Sequence, residues 1–219
     1  MIDAANIDYK AELARKGIHL SSLSIPIIYY FIERDLALAL LVPITFAFLT
    51  VDLLRYYHRP TADLFYKVFR FMLRKHEQDE NSKRLNGATH VLIAATLCVI
   101  LFPKLIVLSA FSILIVSDSM AALIGRRFGK RKFLGKSAEG SVAFFVFGLV
   151  VVLLTPKAMY AFPEYLIGGI AAAVGAVVEA TSWRIDDNLS IPLSVGVVMW
   201  GLYFVLYPSI NLFAVSFAR

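Results

Sequence analysis

The sequence predicts an all-α protein: a polytopic transmembrane helical bundle of about seven spans, with its N-terminus in the cytoplasm. Three observations carry this. Of 219 residues, 59% are hydrophobic and only 17% charged, with a mean hydropathy of +0.71, whereas soluble domains run nearer 45–50% apolar and 25% charged. Apolar runs of membrane-spanning length recur from about residue 18 to the C-terminus, which fits a single membrane-embedded domain over 1–219. Lysine and arginine are also unevenly divided between alternate connections. One side receives three before Gly17, eight from Arg55 to Arg84, six from Arg126 to Lys136, and Arg184. The other receives Arg34, Lys104, Lys157 and Arg219. Positively charged connections stay in the cytoplasm, so the N-terminus is placed there.

The elements follow in order. Residues 1–16 form a polar, charged cytoplasmic segment without the short apolar core of a secretory signal. The expected spans are Gly17–Ile32, Leu36–Leu54, Gly87–Phe102, Leu105–Ile124, Ser141–Thr155, Tyr165–Ser182 and Ile191–Tyr207. Three are only 15 or 16 residues long, which implies local thinning of the bilayer or partial burial within the bundle. The cytoplasmic connection 55–86 mixes Tyr56, Tyr57, Phe65, Tyr66, Phe69 and Phe71 with Lys67, Arg70 and Arg74, and suits an amphipathic helix lying in the interface. The loop 125–140 is basic and contains four glycines. Cys98 is the single cysteine, so neither a disulfide framework nor a cysteine metal cluster can form within the chain.

Charged groups inside apolar spans are costly and usually functional. Asp118, Glu179 and Asp52 are such groups, and alternating orientation brings all three to the cytoplasmic end. The same end receives Glu12, Arg15, Lys16 and His19; Asn86, Thr89 and His90; the loop from Arg126 to Ser141; and Asp186, Asp187 and Asn188. Asp52 reads as a span-end residue at the water boundary, while Glu179 could pair with Arg184. Carboxylates and an asparagine beside a dense basic loop suit Mg²⁺ together with phosphate oxygens, because Mg²⁺ takes few carboxylates and keeps waters and substrate phosphates. The implied ligand is a nucleotide or a phosphorylated lipid, not nucleic acid. Glycines in the loop would let backbone amides approach phosphate closely.

Other chemistries fit poorly. Gly129 to Lys136-Ser137 is one residue too long for a P-loop and follows an apolar span, not a strand. His19, His58, His76 and His90 lack zinc-ligand spacing, and there is no Gly-x-Ser-x-Gly elbow. A transporter would need acidic or basic groups linking the two faces, and the outer side has few.

The run Asp118-x-x-Ala121-x-x-x-Gly125-Arg126-x-x-Gly129-Lys130, continued by Lys136-Ser137-x-Glu139-Gly140-Ser141, resembles the signature of the integral-membrane CTP-dependent lipid kinases, which include dolichol kinase, phytol kinase and the yeast-type diacylglycerol kinase. Glu12-x-x-Arg15-Lys16-x-x-His19 and the C-terminal Glu179 with Asp186-Asp187-Asn188-Leu189-Ser190-Ile191-Pro192 resemble that family's outer elements. The central segment is similar to phosphatidate cytidylyltransferase as well, but the Asp-Arg-x-Asp ending of those enzymes is replaced here by Asp-Asp-Asn-Leu-Ser-Ile-Pro, so the kinase is preferred.

The resemblance implies phosphorylation of a long-chain isoprenoid or other lipid alcohol by CTP with Mg²⁺, in a membrane taken to be a prokaryotic plasma membrane with the site facing the cytoplasm. Asp118 and Asp187, with Asn188 and Glu139, are the expected metal ligands. Arg126, Arg127, Lys130, Lys132, Lys136, Ser137, Glu139, Arg15 and Lys16 are expected to bind the nucleotide. His19, Glu12 or Asp186 would orient or deprotonate the alcohol.

Overall fold

The computed structural model describes residues 2–69, 85–181 and 185–215, with side chains from Glu12 onward except those of Val68 and Phe69. The elements are α1 (Ile2–Ser21), α2 (Ser24–Phe31), α3 (Arg34–Leu54), α4 (Arg59–Phe69), α5 (Gly87–Leu101), α6 (Lys104–Phe128), β1 (Lys132–Phe133), β2 (Lys136–Ser137), α7 (Ala138–Leu154), α8 (Phe162–Thr181), α9 (Asp187–Leu206) and a single 3₁₀ turn, Leu212–Ala214. The all-α membrane architecture is present; the count of seven spans needs correction. Among the described residues, four helices are long and apolar enough to cross a membrane: α3, α6, α8 and α9. The helices α5 and α7 are apolar but shorter, at 15 and 17 residues.

The expected first span, Gly17–Ile32, is broken. The polar helix α1 runs past Gly17 to Ser21, and tight turns from Ser22 N to His19 O and Leu23 N to Leu20 O end it. Ser21, Ser22 and Ser24 offer the backbone local alternatives to the helix, and Pro26 sits in the first turn of α2, where its missing N–H costs nothing. At 1.5 Å per residue, the eight residues of α2 rise about 12 Å, far short of the ~30 Å hydrocarbon core.

The centre of the bundle is α6, against which α1, α2, α5, α7 and α9 all pack. Its Leu105, Ile106, Ala110, Ile113, Leu114 and Ile115 are fully buried. By contrast, α3 stands at the rim with Leu36, Leu40, Ile44, Phe46 and Phe48 exposed, as a lipid-facing helix should. Small residues let the last three helices approach closely. A Cβ on Gly168 would fall 2.5 Å from Val152 Cγ1, and one on Gly175 would meet Val195 and Phe144 at 3.0 and 3.1 Å.

Charges at the end opposite the basic loop are consumed by backbone. Lys104 Nζ donates to Ile32 O at 2.8 Å, and Arg34 donates to Ile100 O. Glu164 accepts from the N–H groups of Ala158, Met159 and Ala161 and from the Tyr203 hydroxyl. Lys157, only 3% exposed, donates to Val152 O and Thr155 O at 2.6 Å. Burial drives its pKa down to about 8, partly opposed by Glu164. Between pH 8 and the ordinary lysine value near 10.5, the unfolded chain therefore binds more protons at this position than the folded one, so stability rises with pH across that window. Thermal melts of the detergent-solubilised protein should show that rise, and a Lys157→Met variant should lack it.

Of the expected 55–86 connection, α4 covers the first part; residues 70–84, with Arg70, Phe71 and Arg74, lie outside the described residues. Asp52 is fully buried, not at a water boundary. Its Oδ1 lies 2.8 Å from Arg55 Nε and its Oδ2 accepts the Asn86 N–H at 2.7 Å, while Asn86 caps α5 through Thr89 N. Arg55 in turn lies over the rings of Tyr56, Phe65 and Tyr66. Asp52 thus ties α3, α4 and α5 together, a structural role.

Candidate active site

The loop after α6 is a tight hairpin. β1 and β2 pair antiparallel, Lys132 with Ser137 and Phe133 with Lys136, around Leu134-Gly135. Gly135 N donates to Ala180 O at 2.8 Å and pins the turn to the end of α8. Ser137, expected to touch phosphate, caps α7 by accepting the Gly140 N–H at 3.2 Å. Three of the loop glycines serve packing around that hydroxyl. Added Cβ atoms on Gly125 and Gly140 would approach Ser137 Oγ at 2.8 and 2.9 Å. One on Gly129 would meet Gly125 O at 2.2 Å and Ser137 Cβ at 2.8 Å. The expectation that these glycines open the backbone to phosphate is thereby replaced: they bring the C-terminal end of α6 onto the start of α7. Because the clash at Gly129 is with a carbonyl that no rotamer change can move, Gly129→Ala should cost roughly 1–3 kcal/mol, read as a lowered melting temperature.

The charged groups assemble in three linked pieces. On α1, Glu12, Lys16 and His19 recur at intervals of four and three residues, so they share one helix face, and that face packs on α6. Lys16 Nζ donates to Asp118 Oδ2 at 2.5 Å, and His19 Nε2 lies 3.6 Å from the same oxygen. Glu12 accepts from Arg15 and lies 2.9 Å from Arg126 Nη2. From the hairpin, Lys136 Nζ reaches Glu179 Oε1 on α8 at 2.8 Å and Asp187 Oδ2 at the head of α9 at 2.7 Å. Asp118 lies close enough to Lys136 for the two charges to interact, which relates the first piece to the third. Burial works to lower the pKa of Lys136, but Asp187 and Glu179 outweigh it and raise the value above that of an ordinary lysine.

Several expected residues have other work. Asp186 caps α9, accepting from Asn188 N and Asn188 Nδ2 at 3.0 and 2.8 Å. Glu139 accepts the Arg131 N–H within the loop. Arg127, Lys130 and Lys132 are exposed on the hairpin and its approach. Among the described residues, no three of His, Cys, Asp and Glu are gathered as a metal-binding group; of the expected ligands, Asp187 meets Lys136 and Glu139 accepts within the loop. Glu179 is the residue that pattern reading left out of the site. Its expected partner, Arg184, lies outside the described residues, and the observed partner is Lys136, 43 positions away. The available signal was an acid inside an apolar helix. Its second oxygen, Oε2, is buried without a hydrogen bond.

Comparison with known proteins adds a family. An uncharacterized protein of Rickettsia prowazekii, RP860, is 34% identical over 85% of this chain and 92% of its own length. The chain belongs to the same family as RP860. An uncharacterized protein of Methanocaldococcus jannaschii, MJ1137, is 29% identical over 86% of this chain and 92% of its own. The CTP-dependent diacylglycerol kinase 1 of Saccharomyces cerevisiae is more distant, 26% identical over 84% of this chain and 71% of its own. No protein-family model matches the chain, and no solved structure matches it.

Proposed function

We propose that the protein is a CTP-dependent kinase that transfers the γ-phosphoryl group to the hydroxyl of a lipid alcohol, of the long-chain isoprenoid kind or another, at the cytoplasmic face of the membrane. The observation that carries this is the set of acids on apolar helices, Asp118, Glu179 and Asp187, each met by a cation from another segment: Lys16 beside His19 at Asp118, and Lys136 at Glu179 and Asp187. The distant similarity to a CTP-dependent diacylglycerol kinase supports CTP as donor and a lipid-kinase reaction.

Phosphoryl transfer asks a protein mainly for positioning and charge neutralisation. Lys16, Lys136 and Arg126 are the cations already held beside the carboxylates, and phosphate oxygens would share them. The donor set also fits Mg²⁺, since Glu179 Oε2 is a buried oxygen with no hydrogen bond, next to Asp187 across Lys136. Glu179 and Asp187, which share the Lys136 ammonium, would hold the ion together with substrate phosphate oxygens. Bound there, Mg²⁺ supplies neutralisation of the phosphate oxygens.

Of the three candidate bases, Glu12 is engaged by two arginines and Asp186 by its own helix terminus. We assign His19, 3.6 Å from Asp118, as the group that would accept the alcohol proton. The lipid tail would lie among the spans with its hydroxyl at the level of Asp118. An ion path is disfavoured, because the charges at the far end are bound to helix ends.

The test is incubation of the purified, detergent-solubilised protein with Mg²⁺, γ-labelled CTP, and dolichol, undecaprenol, phytol, farnesol, diacylglycerol or phosphatidate. Label on an alcohol supports the proposal and names the acceptor. Labelled pyrophosphate formed only with phosphatidate would instead make the protein a cytidylyltransferase.

A further inference from the structure

The hairpin between α6 and α7 carries more than Lys136. Arg127, Lys130, Arg131 and Lys132 are exposed in and around it, and among the described residues no carboxylate forms an ion pair with Arg127, Lys130 or Lys132. Interleaved with them are three large apolar side chains: Phe128 is 57% exposed, Phe133 44% and Leu134 61%. Leu134 occupies the turn with φ of 51°, a left-handed conformation that an unbranched glycine would take without strain. The apex of the turn is thus a large apolar side chain in a backbone setting that favours none.

Position explains what composition leaves open. The hairpin is strung between the end of α6, a helix of membrane-spanning length, and the start of the apolar helix α7. The hydrogen bond from Gly135 N to Ala180 O fastens its turn to the end of a second spanning helix, α8. Held at three points to helix ends, it lies where α6 and α8, both of membrane-spanning length, come to their ends. Cations surrounding apolar tips there match an anionic membrane surface, where lysine and arginine meet the headgroup phosphates and apolar side chains enter the acyl boundary.

We infer that this hairpin is a docking surface for anionic lipid headgroups, with Arg127, Lys130 and Lys132 holding the phosphates and Phe128, Phe133 and Leu134 seated below them. The site is distinct from the carboxylate cluster and does not depend on the kinase proposal. Its link to that cluster is mechanical, since β2 carries Lys136: seating the hairpin in the headgroup layer fixes the strand from which Lys136 reaches Glu179 and Asp187.

The experiment uses the full chain in lipid nanodiscs, labelled at Leu134→Cys with an environment-sensitive fluorophore; the native Cys98 is fully buried. Moving from pure phosphatidylcholine to an equal mixture with phosphatidylglycerol should raise emission about twofold or more, and salt should reverse the rise. Brominated phosphatidylglycerol should quench the label more than brominated phosphatidylcholine at the same mole fraction. A labelled Arg127→Gln/Lys130→Gln/Lys132→Gln variant, checked for helix content by circular dichroism, should give the phosphatidylcholine value in both discs. Equal emission in the two lipids, equal quenching by them, or a full response from the neutral variant would overturn the inference. So would CTP producing the same rise in phosphatidylcholine alone, because the cations would then belong to the nucleotide.

Discussion

An Asp118→Asn variant is expected to lose turnover by about a hundredfold or more while also melting at a lower temperature. The catalytic loss follows from removing the charge that faces His19 and holds Lys16 in the site. The stability loss follows from Lys16. Deleting an intramembrane charge would ordinarily ease insertion, but here Lys16 is 5% exposed and its ammonium rests on Asp118. Breaking one side of such a pair strands the other and costs roughly 3–5 kcal/mol. A second variant separates the two effects. Asp118→Asn combined with Lys16→Met removes the stranded ammonium, so its melting temperature should recover while activity stays absent. Recovery of activity in the double variant, or ordinary activity in the single one, would remove Asp118 from the proposed chemistry.

Lys136→Ala has the second large effect, of a different kind. Lys136 stands between Glu179 and Asp187, and without it the buried Glu179 and the half-buried Asp187 lose their shared cation. The variant should therefore melt lower. If its ammonium serves mainly to bind the ground state of the nucleotide, the KM for CTP should rise about tenfold, corresponding to 1.4 kcal/mol, with a smaller fall in kcat. The reverse pattern, a lowered kcat with unchanged KM, would move Lys136 to transition-state stabilisation. Because the carboxylates raise its pKa above the ordinary lysine value, the ion pairs persist at all lower pH on the lysine side and weaken only as pH climbs through that raised value. An acid limb in the activity profile therefore reports other groups.

Much of this site is readable in the sequence because charge in an apolar chain is conspicuous. Asp118 stands out in a long apolar run, and Glu12, Lys16 and His19 stand out as charged groups at the edge of the first apolar run; the structure joins Lys16 and His19 to Asp118. Lys136 and Asp187 are likewise on the page before any coordinates. Less was legible where a residue's task depends on what another segment brings to it. The loop glycines look like a phosphate cradle, yet Gly125, Gly129 and Gly140 surround the Ser137 hydroxyl. Asp186 and Asp187 are indistinguishable as neighbours, yet one caps α9 and the other meets Lys136. Hydropathy blocks also hide breaks, because Ser22 and Leu23 interrupt an apolar stretch without making it polar, and the span count suffered accordingly. Glu179 was visible as an acid, but its partner comes from a hairpin whose register no local pattern specifies.

The distance along the chain between Lys16 and Asp118, 102 residues, also bears on how the protein is born. At about 5–20 residues per second, the ribosome releases Lys16 some 5–20 seconds before its partner, and Asp187 follows later still. Throughout that interval α1 has no α6 to lie on, so the nascent polypeptide passes into the bilayer with every component of the charge cluster still apart. Premature termination anywhere before the head of α9 should yield an embedded but inert fragment.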